Sequence, residues 1–86
     1  MTLEGAVVRE QGVTFAIVVV KEHVLASSVS ADEVAASFAP LFPGLPIVLM
    51  AQNYRGVPTY RGRPDIARFL AGVSLSRIPW KKYSFA

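Results

Sequence analysis

The residues best suited to catalysis lie close together around the single histidine of the chain. His23 follows Glu22 directly and precedes Ser27, Ser28 and Asp32 by a few positions. A hydrolytic triad needs a hydroxyl, an imidazole and a carboxylate that meet in space, and nearness in sequence alone does not bring them together. We therefore expect His23 to be a surface histidine at a strand end and the chain to be non-catalytic, with a small enzyme that uses His23 as the remote alternative.

Metal and redox chemistry lack their usual ligands. The chain has no cysteine, which excludes disulfides, thiolate zinc sites, iron–sulfur clusters and thiol redox reactions. His23 alone cannot complete a zinc site, since such sites usually take three or four protein ligands. No glycine-rich phosphate loop occurs either. The sequence predicts neither a metal nor a cofactor.

Positive charge and aromatic residues are concentrated in the last third of the chain. Residues 1–52 carry two cations and five acidic residues, whereas residues 53–86 carry seven cations, one acidic residue and six of the nine aromatic residues. Arginine binds phosphate and stacks on rings, and Tyr and Trp stack on unpaired bases. This composition predicts a surface for an anionic partner, single-stranded nucleic acid first among them, formed by Arg55, Arg61, Arg63, Lys81, Lys82 and Trp80.

Other interpretations of the same segment remain open. The cations could be a solvated surface while Trp80, Tyr83 and Phe85 hold the C-terminal segment on the core, or they could contact an acidic protein surface. Only 17% of the residues are charged, against ~25% in a typical domain. A surface poor in charge favours protein association, including a homodimer, through a strand edge or an apolar patch. This is the second functional hypothesis.

The run Arg61-Gly62-Arg63-Pro64-Asp65 enters the second predicted helix. Two guanidiniums there, beside the free amides of a helix start, could bind a phosphate or a carboxylate. The alternative is that Arg63 or Arg68 pairs with Asp65 on the surface.

Apolar patterning in the first half predicts a hairpin followed by a parallel crossover. Gly5–Glu10 and the β-branched run 13–20 are the two strands, with Gln11-Gly12 as the turn. The second strand is apolar on both sides, which places it in the middle of a sheet. Ser30 and Glu33 match a capping box for a helix over residues 31–39, and residues 45–51 form the next strand.

The second half predicts another hairpin strand and a second helix. A turn at residues 53–56 leads to a strand over residues 57–61, in which Pro58 requires an edge position. The second helix runs from residue 64 to 71 and ends at Gly72. A last strand over residues 78–85 is optional, because its side chains alternate poorly.

These elements predict a single small α/β domain, with α+β as the alternative, spanning residues 1–86. Its order is β-β-α-β-β-α with the optional C-terminal strand, and its mixed sheet has four or five strands. We expect the two helices to pack mainly on one face of the sheet.

One segment resembles part of a known fold. Leu45-Pro46 before an apolar strand, followed by a turn, a strand and a helix with Phe69-Leu70, is similar to the second half of a thioredoxin-like domain. The resemblance covers about a third of the chain and implies no thiol chemistry, because cysteine is absent and a hairpin stands where that family has its active-site strand and helix.

The sequence also favours the cytoplasm. Its longest apolar run, residues 15–20, is far shorter than the ~20 residues of a membrane-spanning helix. Residues 1–12 carry Glu4 and Glu10 against Arg9, which is unlike the basic start of a secretory signal.

Overall fold

Five strands pair into one mixed sheet in the computed structural model, which describes residues 1–10 and 12–85. The strands are β1 (Thr2–Glu10), β2 (Val13–Val19), β3 (Ile47–Gln52), β4 (Pro58–Arg61) and β5 (Lys81–Ser84), and the helices are α1 (Ser28–Phe38) and α2 (Pro64–Ala71). Across the sheet the strands lie in the order β4-β3-β2-β1-β5. The predicted α/β class and element order are confirmed, including the optional last strand.

The centre of the sheet is the predicted crossover. β2 and β3 are parallel, whereas β1 pairs antiparallel with both β2 and β5, and β3 pairs antiparallel with β4. Residues 15–18 of β2 are buried, as expected for a strand whose two faces are both apolar. The β2-α1-β3 unit therefore forms the core to which the outer strands are added.

The two helices cover opposite faces of the sheet. Phe15 and Ile17 pack in one core cluster with α2 residues Ile66 and Leu70. The alternate β2 residues Ala16 and Val18 pack in a second cluster with Ala31 of α1. The expectation that both helices lie mainly on one face is therefore wrong. Each apolar face of the central strands needs its own cover, and one helix supplies each.

Helix α1 begins three residues earlier than the capping pattern predicted. Ser27, not Ser30, is the N-cap, and its hydroxyl accepts a hydrogen bond from the Ser30 amide at 3.1 Å. Ser27 has extended backbone dihedrals, as a cap requires. The helix ends at Phe38, before a short 3₁₀ turn that contains Pro40, so the predicted end near Ala39 is confirmed.

In the second half of the chain, the elements of the structure agree closely with those predicted from the sequence. Helix α2 spans the predicted residues and is followed by Gly72. Pro58 lies in β4, an edge strand, as its missing N–H requires. β5 is shorter than predicted, because Ile78 turns into the core and Pro79 separates it from the strand.

The structure tests only part of the predicted β1–β2 turn and of the expectation about membrane spans. Gly12 of the predicted β1–β2 turn has a φ of 78°, a value that glycine adopts readily, whereas Gln11 lies outside the described residues. Among residues 1–10 and 12–85, no helix is long and apolar enough to span a membrane.

Candidate functional site

The residues around His23 do not assemble into a catalytic group in the described part of the chain. His23 lies in a short 3₁₀ turn, Glu22–Ala26, and is exposed. It makes no side-chain hydrogen bond among these residues, and the Ser27 hydroxyl caps α1. The described residues also contain no group of three or more His, Asp or Glu side chains placed to hold a metal ion.

Arg63 and Asp65 form the surface pair that was the alternative to an anion site. The Arg63 guanidinium donates two hydrogen bonds to the Asp65 carboxylate, Nε to Oδ1 at 3.1 Å and Nη2 to Oδ2 at 2.7 Å. These hydrogen bonds lower the pKa of Asp65 and raise the pKa of Arg63. The pair is exposed on both sides, so an anion that bound Arg63 would have to share or replace this contact, and the anion-site prediction stays a prediction.

The other predicted anion-binding residues are divided between the two ends of the sheet. Arg55 lies in the turn between β3 and β4, and Arg61 lies on β4, while Lys81 and Lys82 lie on β5. β4 and β5 are the two outer strands. Four strand spacings separate them, which is ~19 Å. The cations predicted from composition therefore form two groups, one at each edge.

Trp80 and the aromatic residues near it hold the last strand on the core. The Trp80 indole Nε1 donates to the Leu75 carbonyl at 2.9 Å, and the ring packs against the α2-side cluster. On the opposite face the Tyr83 and Phe85 rings meet Phe42 edge to face, with centroids 5.4 Å and 6.0 Å away. The anchoring role that was the alternative for these residues is thus confirmed.

An unpaired strand edge is the feature that sequence reasoning did not locate. Met1 and Phe85 exchange two backbone hydrogen bonds, of 2.9 Å and 2.8 Å. Since such pairs alternate along an antiparallel ladder, Leu3 and Gly5 also direct their backbone groups toward β5. By the same alternation Val7 and Arg9 point their N–H and C=O groups outward on this side, away from β2.

The β5 ladder stops before it reaches Val7. The last residue pair is Gly5 with Lys81, so the register would next place Pro79 opposite Val7. Proline has no N–H to donate, and the chain turns away there, with the Trp80 amide bonded to the Ile78 carbonyl at 2.8 Å. Among the residues that the structure describes, the outward backbone groups of Val7 and Arg9 have no backbone partner.

An apolar cleft borders this free half of β1 on the α2 side. Its volume is about 340 Å³. The residues that line it are mostly apolar, with Glu10 and Arg77 as the charged ones: Val8, Glu10, Phe69, Leu70, Val73, Arg77, Ile78 and Pro79. Phe69 keeps 36% of its surface exposed and Val7, on the other face, keeps 39%. Two partly exposed large apolar side chains, Val7 and Phe69, thus flank the same edge.

The other two sheet edges carry residues that oppose strand pairing. β4 contains Pro58 and β5 contains Lys81 and Lys82, and proline and lysine both disfavour the addition of another strand. The free half of β1 has neither residue. The sequence signal that could have located it is the combination of a long first strand with a proline just before a short last one.

Comparison of this chain with protein-family models, with curated proteins and with solved structures gives no match. Function is therefore inferred from the geometry of the chain itself.

Proposed function

We propose that this protein is a non-catalytic association module that binds a protein partner by strand addition at the free edge of β1. The observation that carries the proposal is the outward backbone of Val7 and Arg9, which has no backbone partner in the described part of the chain and lies beside an apolar cleft. An added strand would satisfy these N–H and C=O groups, and a side chain on its α2-facing side would enter the cleft.

The expected strength of this binding is modest. Each new backbone hydrogen bond contributes ~0.5–1.5 kcal/mol net, and a fully buried aliphatic side chain contributes ~1.5–3 kcal/mol. Association itself costs ~4–15 kcal/mol in lost translational and rotational freedom. A short strand alone would therefore bind weakly, and a tighter complex needs contacts that extend to Val7 and Phe69.

Arg9→Pro provides the test, because it removes an outward N–H that bonds to nothing within the described fold. A library of displayed random peptides is selected on the unsubstituted protein, and binding is measured by titration. We expect the selected peptides to slow exchange of the Val7 and Arg9 amides and to lose at least tenfold in affinity with Arg9→Pro.

Arg9→Ala is the matched control, since it removes the same side chain and keeps the backbone donor. Peptides should bind this variant nearly as well as the unsubstituted protein. Selection that yields no peptide sensitive to Arg9→Pro, or sensitivity equal in both variants, would contradict strand addition.

Binding of single-stranded nucleic acid is the second candidate function, and the β3–β4 turn is the feature that favours it. Tyr54 is 89% exposed, and the Arg55 guanidinium carbon lies 5.4 Å from its ring centroid. An exposed ring beside a cation suits an unpaired base and its phosphate. Binding of a labelled oligothymidylate at low salt, weakened by Tyr54→Ala, is the expected result, and absence of binding at low salt contradicts it.

We also propose that the protein acts in the cytoplasm. The proposal rests on the short apolar runs of the sequence, the longest of which is residues 15–20. Cell fractionation with an antibody to the chain tests it, and recovery in a secreted or membrane fraction would contradict it.

A further inference from the structure

We infer that the strand which completes the free edge of β1 is β1 of a second copy of this chain, in antiparallel two-fold pairing centred on Val8. The inference rests on the proposed function, which leaves the identity of the added strand open. It commits to a homodimer with one continuous sheet of ten strands, five from each copy.

The alternation of backbone groups selects the register. Strands can bond only where outward residues face outward residues, and in the free half of β1 these are Val7 and Arg9. A two-fold axis at Val8 pairs each Val7 with Arg9 of the other copy, which forms four backbone hydrogen bonds. An axis at Val7 would place Arg9 opposite Gly5, whose groups are already bonded to β5, and an axis at Arg9 would pair only that residue within the free stretch.

The same register joins the two apolar clefts. Residues directly opposite each other in a sheet share a face, so both Val8 side chains point to the α2 side, where each packs against its own core cluster. Each Val8 borders a cleft that is also lined by Phe69 and Val73. The α2 helices of the two copies thus lie on one side of the joint, with their exposed Phe69 rings directed at a shared apolar space.

The cleft is suited to contact with itself. A two-fold interface brings identical patches together, so a patch of one charge sign would repel its copy. Here the charged residues of the cleft are one carboxylate, Glu10, and one guanidinium, Arg77, and among residues 1–10 and 12–85 these two do not form an ion pair. In the two-fold register Glu10 lies opposite Ala6 of the other copy, on the α2 face that carries Arg77. Charge therefore does not oppose self-association.

A second copy also explains why pairing would stop at two. Each β5 would stay beside the first half of its own β1, so its outer side, which carries Lys81 and Lys82, would remain an edge, and the end strand of the sheet in each copy would be β4. Pro58 lies on that edge and disfavours further pairing. An extended peptide would satisfy the backbone of β1, but it brings no second helix to cover Phe69.

A cysteine cross-link tests the register directly, since the chain contains no cysteine. At the two-fold centre the two Val8 residues form a pair without backbone hydrogen bonds, with Cα atoms ~4.5 Å apart, which is within disulfide reach. Val8→Cys should give a disulfide-linked dimer at micromolar concentration under mild oxidation. Val57→Cys, an exposed position in the β3–β4 connection, is the control and should link at least tenfold more slowly.

Two further measurements complete the experiment. Sedimentation of the unsubstituted protein should show a monomer–dimer equilibrium that Arg9→Pro shifts to monomer and Arg9→Ala does not. In the unsubstituted protein, hydrogen exchange of the Val7 and Arg9 amides should also slow as protein concentration rises. This measurement does not depend on the folding of any variant.

The outcomes separate this inference from the proposed function. If Val8→Cys forms disulfide-linked dimers no faster than Val57→Cys, and the protein stays monomeric at millimolar concentration, the inference that a second copy binds is overturned. If selected peptides nevertheless bind in a way that Arg9→Pro abolishes, strand addition holds and only the occupant is wrong. If those peptides also fail, both proposals are overturned.

Discussion

At the scale of single residues, Gly5 shows how closely the two strands of the first hairpin approach. It lies buried in β1 with Val18 as its strand partner. A Cβ built on Gly5 would overlap the carbonyl oxygen of Ile17, which is backbone and cannot move aside by a change of rotamer. From the sequence, a glycine in a strand indicates either a weak point or a close approach, and only the coordinates distinguish the two.

We predict that Gly5→Ala destabilises the protein by ~1–3 kcal/mol or more, because the added methyl group must push β1 away from β2. Denaturant unfolding measures the effect. Gly72→Ala is the matched control: a Cβ there would meet only the Phe69 carbonyl oxygen, at an ordinary contact distance of 3.7 Å. Equal stability of the two variants would contradict the close approach.

At the scale of elements, the sequence predicted which segments are helices and strands better than where they begin. Three serines, Ser27, Ser28 and Ser30, lie within four residues at the start of α1, and a serine at any of these positions can cap a helix. The capping box at Ser30 and Glu33 favoured the last of the three. The structure uses the first, and this places Ser30 inside the first turn of α1.

The position of the helix cap leads to a prediction about the stability of two serine variants. Ser27→Ala should lower the free energy of unfolding by ~0.5–2 kcal/mol, because the Ser30 amide loses its side-chain acceptor. Ser30→Ala should change it by much less, since the Ser30 side chain makes no hydrogen bond among the described residues. Thermal unfolding of both variants shows which one loses more stability. A larger loss for Ser30→Ala would mean that Ser30 is the N-cap, as the sequence predicted.

The faces of the helices could not be predicted for a related reason. β2 and β3 are apolar on both sides, so their periodicity indicates burial but does not say which helix covers which face. α1 has few strongly apolar positions and one fully buried residue, Ala31, whereas α2 buries Ile66 and Leu70. No local pattern in the sequence therefore records that α1 and α2 cover opposite faces.

At the scale of the whole molecule, the sheet order decides what the charge asymmetry means. Seven of the nine cations lie in residues 53–86, and composition alone predicted one surface. The pairing of β5 with β1 carries Lys81 and Lys82 across the sheet from Arg55 and Arg61. Closeness in sequence did not become closeness in space, because this pairing joins the two ends of the chain. The same long-range pairing creates the free edge, which is why the sequence suggested a strand edge without saying which one.

This separation predicts how any binding to nucleic acid would depend on salt. The logarithm of the binding constant for a single strand falls with the logarithm of salt concentration by ~0.7 for each phosphate neutralised. A short oligothymidylate that contacts only Arg55 and Arg61 should therefore give a slope of about −1.4. This is much shallower than the slope of about −3.5 expected for five clustered cations. Replacing Arg55 and Arg61 by Ala should remove the salt dependence, while replacing Lys81 and Lys82 should leave it nearly unchanged. A steep slope that both double variants reduce equally would mean that the strand reaches across the sheet and contacts both groups at once.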